Sequence, residues 1–223
     1  MVERTIVGAL STNAYIYSEW KKECLLIDPG GNLEELLAQM AIKNLKPLGI
    51  VCTHGHLDHV ASAYELQRHF RDLETEVPVA IHEADAHYLG SKAEGSHQAS
   101  FDQIGVDIQD VLDGAAALFP EPDLILKDGD PVFESSLVTI HTPGHTPGSI
   151  CLYSEAQGVL FSGDTLFFEG IGRTDLKEGD NEAILASVRH RLFVLPPETR
   201  VFPGHGPNTT IEREIRNNPY VRI

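Results

Sequence analysis

Leu48-Gly49-Ile50-Val51-Cys52-Thr53-His54-Gly55-His56-Leu57-Asp58-His59 is the stretch that organises this chain. Leu48 to Thr53 is short, mostly apolar and β-branched, and reads as a buried strand. Directly after it come three histidines and an aspartate. On an extended segment His54 and His56, two apart, point to the same side. Asp58 and His59 follow on a turn and can face a second position. Neutral imidazole and carboxylate are ligands that zinc accepts, at roughly 2.0–2.2 Å. A single histidine is more often a surface or satisfied core residue, and His69, His82, His87, His97, His141 and His190 are read that way.

Three later clusters repeat the design. Val138-Thr139-Ile140 leads into Thr142-Pro143-Gly144-His145, Val159-Leu160-Phe161 into Ser162-Gly163-Asp164, and Val201-Phe202 into Pro203-Gly204-His205. In each, an apolar strand ends, glycine loosens the backbone, and a histidine or aspartate follows. If these strand ends gather at one edge, His54, His56, Asp58, His59, His145, Asp164 and His205 converge. That donor set suits two divalent ions, with Asp164 able to bridge a pair about 3.5–4 Å apart. Zinc is the first choice, and iron and manganese accept the same ligands. A Ser-His-Asp mechanism is the enzymatic rival, but neither Ser149 nor Ser162 sits in a G-x-S-x-G elbow.

Around these clusters the β signal is broad. Thr5–Val7, Ala14–Tyr17, Cys24–Ile27, Pro78–Ile81, Leu124–Leu126, Pro131–Phe133, Ser149–Tyr153 and Arg200–Phe202 all read as strands. Helices are expected from Asn32, as the cap of a variant capping box with Glu35, from about Asp58 to Phe70, from Asp180 through Leu192, and from Ile211 to Arg216. Residues 84–118 have helical pieces and mixed polarity and read as a connection over the surface. So many strands predict two sheets packed face to face with helices outside, in a single domain spanning 1–223.

Bulk properties narrow the function. The 223 residues carry 17 Lys and Arg against 33 Asp and Glu, a formal charge of −16. A basic face for nucleic acid or membrane is not expected. Cys24, Cys52 and Cys151 form no C-x-x-C and read as buried small hydrophobes. With no signal-peptide core and no run near the about 18 apolar residues of a membrane helix, a cytoplasmic protein is expected, monomeric or a small homo-oligomer, acting on a small molecule.

The run from Thr53 to His59, with His145, Asp164 and His205 following in order, resembles the metallo-β-lactamase superfamily. The resemblance implies an α/β fold, the four-layer αβ/βα sandwich. It also implies one ion on His54, His56 and His145, another on Asp58, His59 and His205, and Asp164 between them. Thr142–Ser149, Ser162–Phe167 and Pro203–Pro207 are similar to short glyoxalase II-like hydrolases, which cleave S-lactoylglutathione. The implied reaction is hydrolysis of a thioester or related ester by metal-bound hydroxide, with Asp58 orienting the nucleophile. Arg173 is a candidate contact for a substrate carboxylate. The chain departs from typical members where Gly170-Ile171-Gly172-Arg173-Thr174-Asp175 replaces a Lys- and Tyr-bearing glutathione segment. It also ends 18 residues after His205. Gly172–Asp175 is similar to persulfide dioxygenases, which use a single iron, so that activity is the alternative.

Overall fold

The computed structural model describes residues 1–19, 22–103, 105 and 118–222. Two sheets dominate it. The first orders β1 (Val2–Val7), β2 (Thr12–Tyr17), β3 (Glu23–Ile27), β4 (Lys46–Val51), β5 (Val79–His82) and β6 (Leu124–Leu126) side by side. β1 to β3 pair antiparallel, and β3 to β6 pair parallel. The second sheet holds β7 (Val138–His141), β8 (Ile150–Ser154), β9 (Val159–Gly163), β12 (Arg200–Pro203) and β13 (Thr209–Thr210), in the order β13-β12-β9-β8-β7. A small hairpin joins β10 (Leu166–Phe167) to β11 (Gly170–Ile171).

Alternation along the strands builds the layers. All six residues of β2 are buried, because both of its faces are covered. Tyr15 and Tyr17 point inward with Leu25, Ile27 and Val51, and meet Ile150, Leu152, Phe161 and Phe202 of the second sheet. Ala14 and Ile16 point the other way with Cys24, Leu26, Ile50 and Cys52. They pack under α1 (Leu33–Lys43) and α3 (Ala63–Asp72) through Leu36, Met40 and Leu66. On the far side Cys151, Leu160 and Val201 pack against Val188, Leu192 and Ile211. These last three belong to the helical stretch that begins as α5 (Asn181–Ser187) and to α6 (Ile211–Asn217). The result is the expected helix–sheet–sheet–helix sandwich. Each fully buried Leu, Ile or Phe of such a core contributes about 1.5–3 kcal/mol. All three cysteines are buried and free, as expected. No helix among the described residues is long and apolar enough to cross a membrane.

Several local expectations are corrected. The helix expected from Asp58 to Phe70 is two pieces, α2 (Leu57–Val60) and α3, because Ser62 N–H donates to Pro29 O (2.9 Å) instead of to a carbonyl one turn back. Asn32 does precede α1 but makes no side-chain cap: its Oδ1 accepts from Gly8 N (3.1 Å). Pro131–Phe133 contributes only an isolated bridge from Pro131 to Val138. The segment from 84 is not a surface connection as far as it is described. It forms two 3₁₀ turns (Glu83–Tyr88 and Gly90–Lys92) and α4 (Ala93–Asp102), which buries Ala93, His97 and Phe101 at successive fourth positions. Residues 104 and 106–117 of that expectation lie outside the described residues.

Candidate metal centre

Every cluster flagged by the strand-end pattern arrives at one edge of the sandwich. β4 delivers His54 and His56, and α2 delivers Asp58 and His59. From the opposing sheet, the loop after β7 delivers His145, the end of β9 delivers Asp164, and the end of β12 delivers His205. Two glycines permit the approach. Gly163 adopts φ +47° against Thr53, and a Cβ on Gly204 would collide with Asp164 Oδ1 and His59.

The ligand atoms fall into three overlapping groups, of which His54, His59 and Asp164 link the other two. Those of His54, His56 and His145 lie within 4.8 Å of one another, and so do those of Asp58, His59 and His205. Asp164 stands between them. Its Oδ2 is 3.5 Å from His145 Nε2 and 3.6 Å from His205 Nε2, and its Oδ1 is 3.4 Å from His59 Nε2. Asp58 Oδ2 is 3.3 Å from His205 Nε2 and 3.4 Å from His59 Nε2.

The rings are held by partners on their other nitrogens. Thr53 Oγ1 donates to Asp28 Oδ2 (2.7 Å) and so is left to accept from His54 Nδ1 at 3.2 Å. His59 Nδ1 faces Asp28 Oδ2 at 3.0 Å. His145 Nδ1 donates to Arg173 O (2.8 Å). At His54 and His145 the contact leaves Nε2 unprotonated and turned into the centre, the tautomer that a ligand needs. His54 Nε2, His59 Nε2 and Asp164 Oδ1 are buried without a hydrogen-bond partner, while His56 Nδ1 and His145 Nε2 share a hydrogen bond of 2.8 Å. Buried lone pairs turned toward one another without donors are costly unless a cation sits among them. The residues therefore fit divalent metal.

Electrostatics separates the two groups. Burial, reinforced by the surrounding imidazoles, holds His54 well below its ordinary pKa, and burial with His145 does the same for His56. In the other group burial is outweighed. Asp58, Asp164 and Asp28 push His59 up to about 10, and the Asp58 contact raises His205. Burial would raise Asp58, but His59, His205 and the Thr12 hydroxyl (2.7 Å) lower it.

Three supports escaped the sequence reading. Asp28 accepts from Thr53 N (2.7 Å) as well as its hydroxyl. Asp85, fully buried, accepts from Gly55 N (2.8 Å), Thr146 Oγ1 (2.7 Å) and Gly148 N (2.6 Å), so one carboxylate ties the His54–His56 loop to the His145 loop. Burial raises its pKa against those bonds. Thr12 fixes Asp58. A signal existed for the two aspartates, since Asp28 and Asp85 also follow strand ends, β3 and β5; nothing in the sequence singled out Thr12.

The remaining candidates are placed as follows. Arg173 lines the cavity beside the centre, and its guanidinium is paired with Asp175 at 2.7 and 2.8 Å. His82 and His141 stack on each other (4.1 Å between ring centroids) away from the donor groups. Ser162 Oγ is buried and donates to Leu166 O, and Ser149 Oγ contacts Thr146. The cavity, about 460 Å³, opens onto His56, Asp58, His145, Asp164 and His205.

Comparison with known proteins gives the family and the fold. The profile of the Metallo-beta-lactamase superfamily matches residues 7–205. Hydroxyacylglutathione hydrolase GloC of Haemophilus influenzae is 34% identical over 221 residues, 99% of this chain and 97% of that protein. The crystal structure of BLEG-1 B3 metallo-beta-lactamase superposes with a TM-score of 0.83 at 34% identity, covering 99% of both chains. TTHA1623, solved in a di-iron-bound form, superposes with a TM-score of 0.79 at 35% identity, covering 98% of this chain and all of that one.

Proposed function

The chain belongs to the metallo-beta-lactamase superfamily of metal-dependent enzymes, and from that premise we propose that it is a dinuclear hydrolase of thioesters or related esters. The observation that carries this reading is the pair of ligand groups flanking Asp164. We assign His54, His56 and His145 to one ion, Asp58, His59 and His205 to the other, and Asp164 to both. Zinc suits this donor set, and the di-iron form of TTHA1623 makes iron the second choice. The 34% identity to GloC supports a thioester as substrate.

When bound, two such ions supply a water of near-neutral pKa and an electrophile for the carbonyl oxygen. The chain's own residues do the rest. His54 and His56 are kept neutral, with lone pairs available. Asp58, fixed by the Thr12 hydroxyl, directs its carboxylate toward the cavity and orients the attacking water. In the net reaction water adds to the carbonyl carbon and the C–S bond breaks. The thiol leaves with one proton, and the acid leaves as a carboxylate, releasing the other.

A rival reading, a mononuclear iron persulfide dioxygenase, draws on the Gly172–Asp175 segment, whose Arg173–Asp175 pair borders the cavity. Metal analysis with two assays separates them. The expected result is about two metals per chain and hydrolysis of S-lactoylglutathione or a simpler thioester. One iron per chain, with oxygen uptake on glutathione persulfide, overturns the hydrolase.

A further inference from the structure

We infer that the substrate brings an uncharged, apolar arm to the metal-facing cavity, and that this arm rather than a charged peptide such as glutathione is what the site selects. The inference rests on the hydrolase reading above and specifies its substrate class.

Apart from His97 and Ser100 of α4, and Arg173, the lining beyond the metal ligands is hydrocarbon drawn from separate parts of the chain. Leu10 comes from the β1–β2 turn, Leu57 from the start of α2, Phe101 from α4, Phe167 and Ile171 from the β10–β11 hairpin, and Leu176 from the loop after it. Leu10 is half exposed (51%), an uncovered apolar group at a polar catalytic edge. An arm lying on this wall leaves water while its carbonyl stays beside the ligands. Pockets of this size and mixed lining hold small organic molecules.

Cations for a charged peptide are scarce. Among the described residues lining the cavity, Arg173 is the one Lys or Arg, and the Nε–Nη2 edge of its guanidinium is paired with Asp175. A guanidinium already held in a two-point pair has its best geometry for a carboxylate in use. The chain's −16 charge also disfavours the approach of an anion. A smaller cleft of about 260 Å³ shares Ser100 with the cavity and is lined by Lys92 and Lys177 beside Glu178. That cleft is where an anionic end would go if the inference were wrong.

The test uses the metal-loaded protein and S-acyl thioesters of N-acetylcysteamine from acetyl to hexanoyl, with S-lactoylglutathione alongside. The expected result is a rise in kcat/KM of roughly fourfold per methylene until the cavity fills, with the best neutral thioester exceeding S-lactoylglutathione. Calorimetric titration with acetate through hexanoate reads the same step in Kd without turnover. Leu176→Ser, at a half-buried position the fold should tolerate, flattens the series while metal content stays near two. A flat or falling series overturns the inference. So does preference for S-lactoylglutathione over every neutral thioester, and loss of that preference in Lys177→Ala would move the selecting site to the smaller cleft. Absence of turnover on every thioester by protein holding two metals overturns the hydrolase reading itself, and this inference with it.

Discussion

The two halves of the metal centre are built from opposite electrostatics. The His54–His56–His145 half holds imidazoles alone, beside the shared Asp164 and with Asp58 acting on His56, and burial holds His54 and His56 neutral. The Asp58–His59–His205 half is rich in carboxylates and favours protonated rings. The first half has no charge pair to draw its loops together, and its cohesion comes from outside, through Asp85 on the backbone amides of Gly55 and Gly148. The second half is drawn together by its own Asp58, steadied by Thr12 and Asp28. A site assembled this way can lose one half without losing the other, except at Asp164.

The largest effects test that division. Asp164→Ala should remove most of both metals and lower turnover by more than about 100-fold, since even outer partners of metal ligands cost 10–100-fold. His56→Ala and His205→Ala should each take metal content from about two per chain to about one, measured by elemental analysis, and lower turnover. If His56→Ala kept both metals and activity, the ligand assignment would be wrong. If either histidine variant lost both metals, the halves would not be separable.

The supports give the next tier. Asp85→Asn keeps the shape but replaces an acceptor oxygen with a donor facing backbone N–H groups. It should weaken one of the two metals by about 10–100-fold and leave the other near its original affinity. Thr12→Val removes a single hydrogen bond to Asp58 and should weaken the other metal by about tenfold, the size of one hydrogen bond to a charged group. Competition titration against a chelator resolves the two affinities. Equal weakening of both metals in Asp85→Asn would show that its carboxylate supports the whole edge and not one half.

How much of this was legible follows from which residues carried local signals. Histidine and aspartate after an apolar strand and a glycine marked the side chains that cluster at one edge, because those residue types stand at specific backbone turns. The two packed sheets followed from the number of β-rich stretches, and the four layers from the family resemblance. Asp28 and Asp85 follow strand ends too, but neither stands in one of the four clusters that hold the candidate ligands. Their role is to accept from amides distant in sequence, 25 residues away for Asp28 to Thr53 and 63 for Asp85 to Gly148, and no local pattern encodes that. The wall contributed by α4 was hidden because its buried stripe, Ala93, His97 and Phe101, includes a histidine and only one large apolar residue. His97 is there as a core residue, its Nε2 bonded to Tyr88 O at 3.0 Å and its pKa lowered to about 4 by burial.

The last expected difference between the halves is in proton linkage. A ligand imidazole must be unprotonated to bind metal. His59, pushed up to about 10 by Asp58, Asp164 and Asp28 against its burial, carries a proton at neutral pH and must release it on metal uptake. Raising the pH toward 10 removes that competitor, so affinity in the carboxylate half should rise by about tenfold per pH unit and level off above it. His54 and His56 are held below their ordinary range and are already neutral, so they add no such slope to the other half at neutral pH. Titrating metal-stripped protein between pH 7 and 9 in two buffers of different ionisation enthalpy counts the protons released at each step. One binding step should release a proton attributable to His59, and that release should shrink in Asp58→Asn, which removes one of the carboxylates holding the proton in place. Equal release at both steps, unchanged in Asp58→Asn, would mean that the two halves share their charge and that the contrast between them is one of ligand type alone.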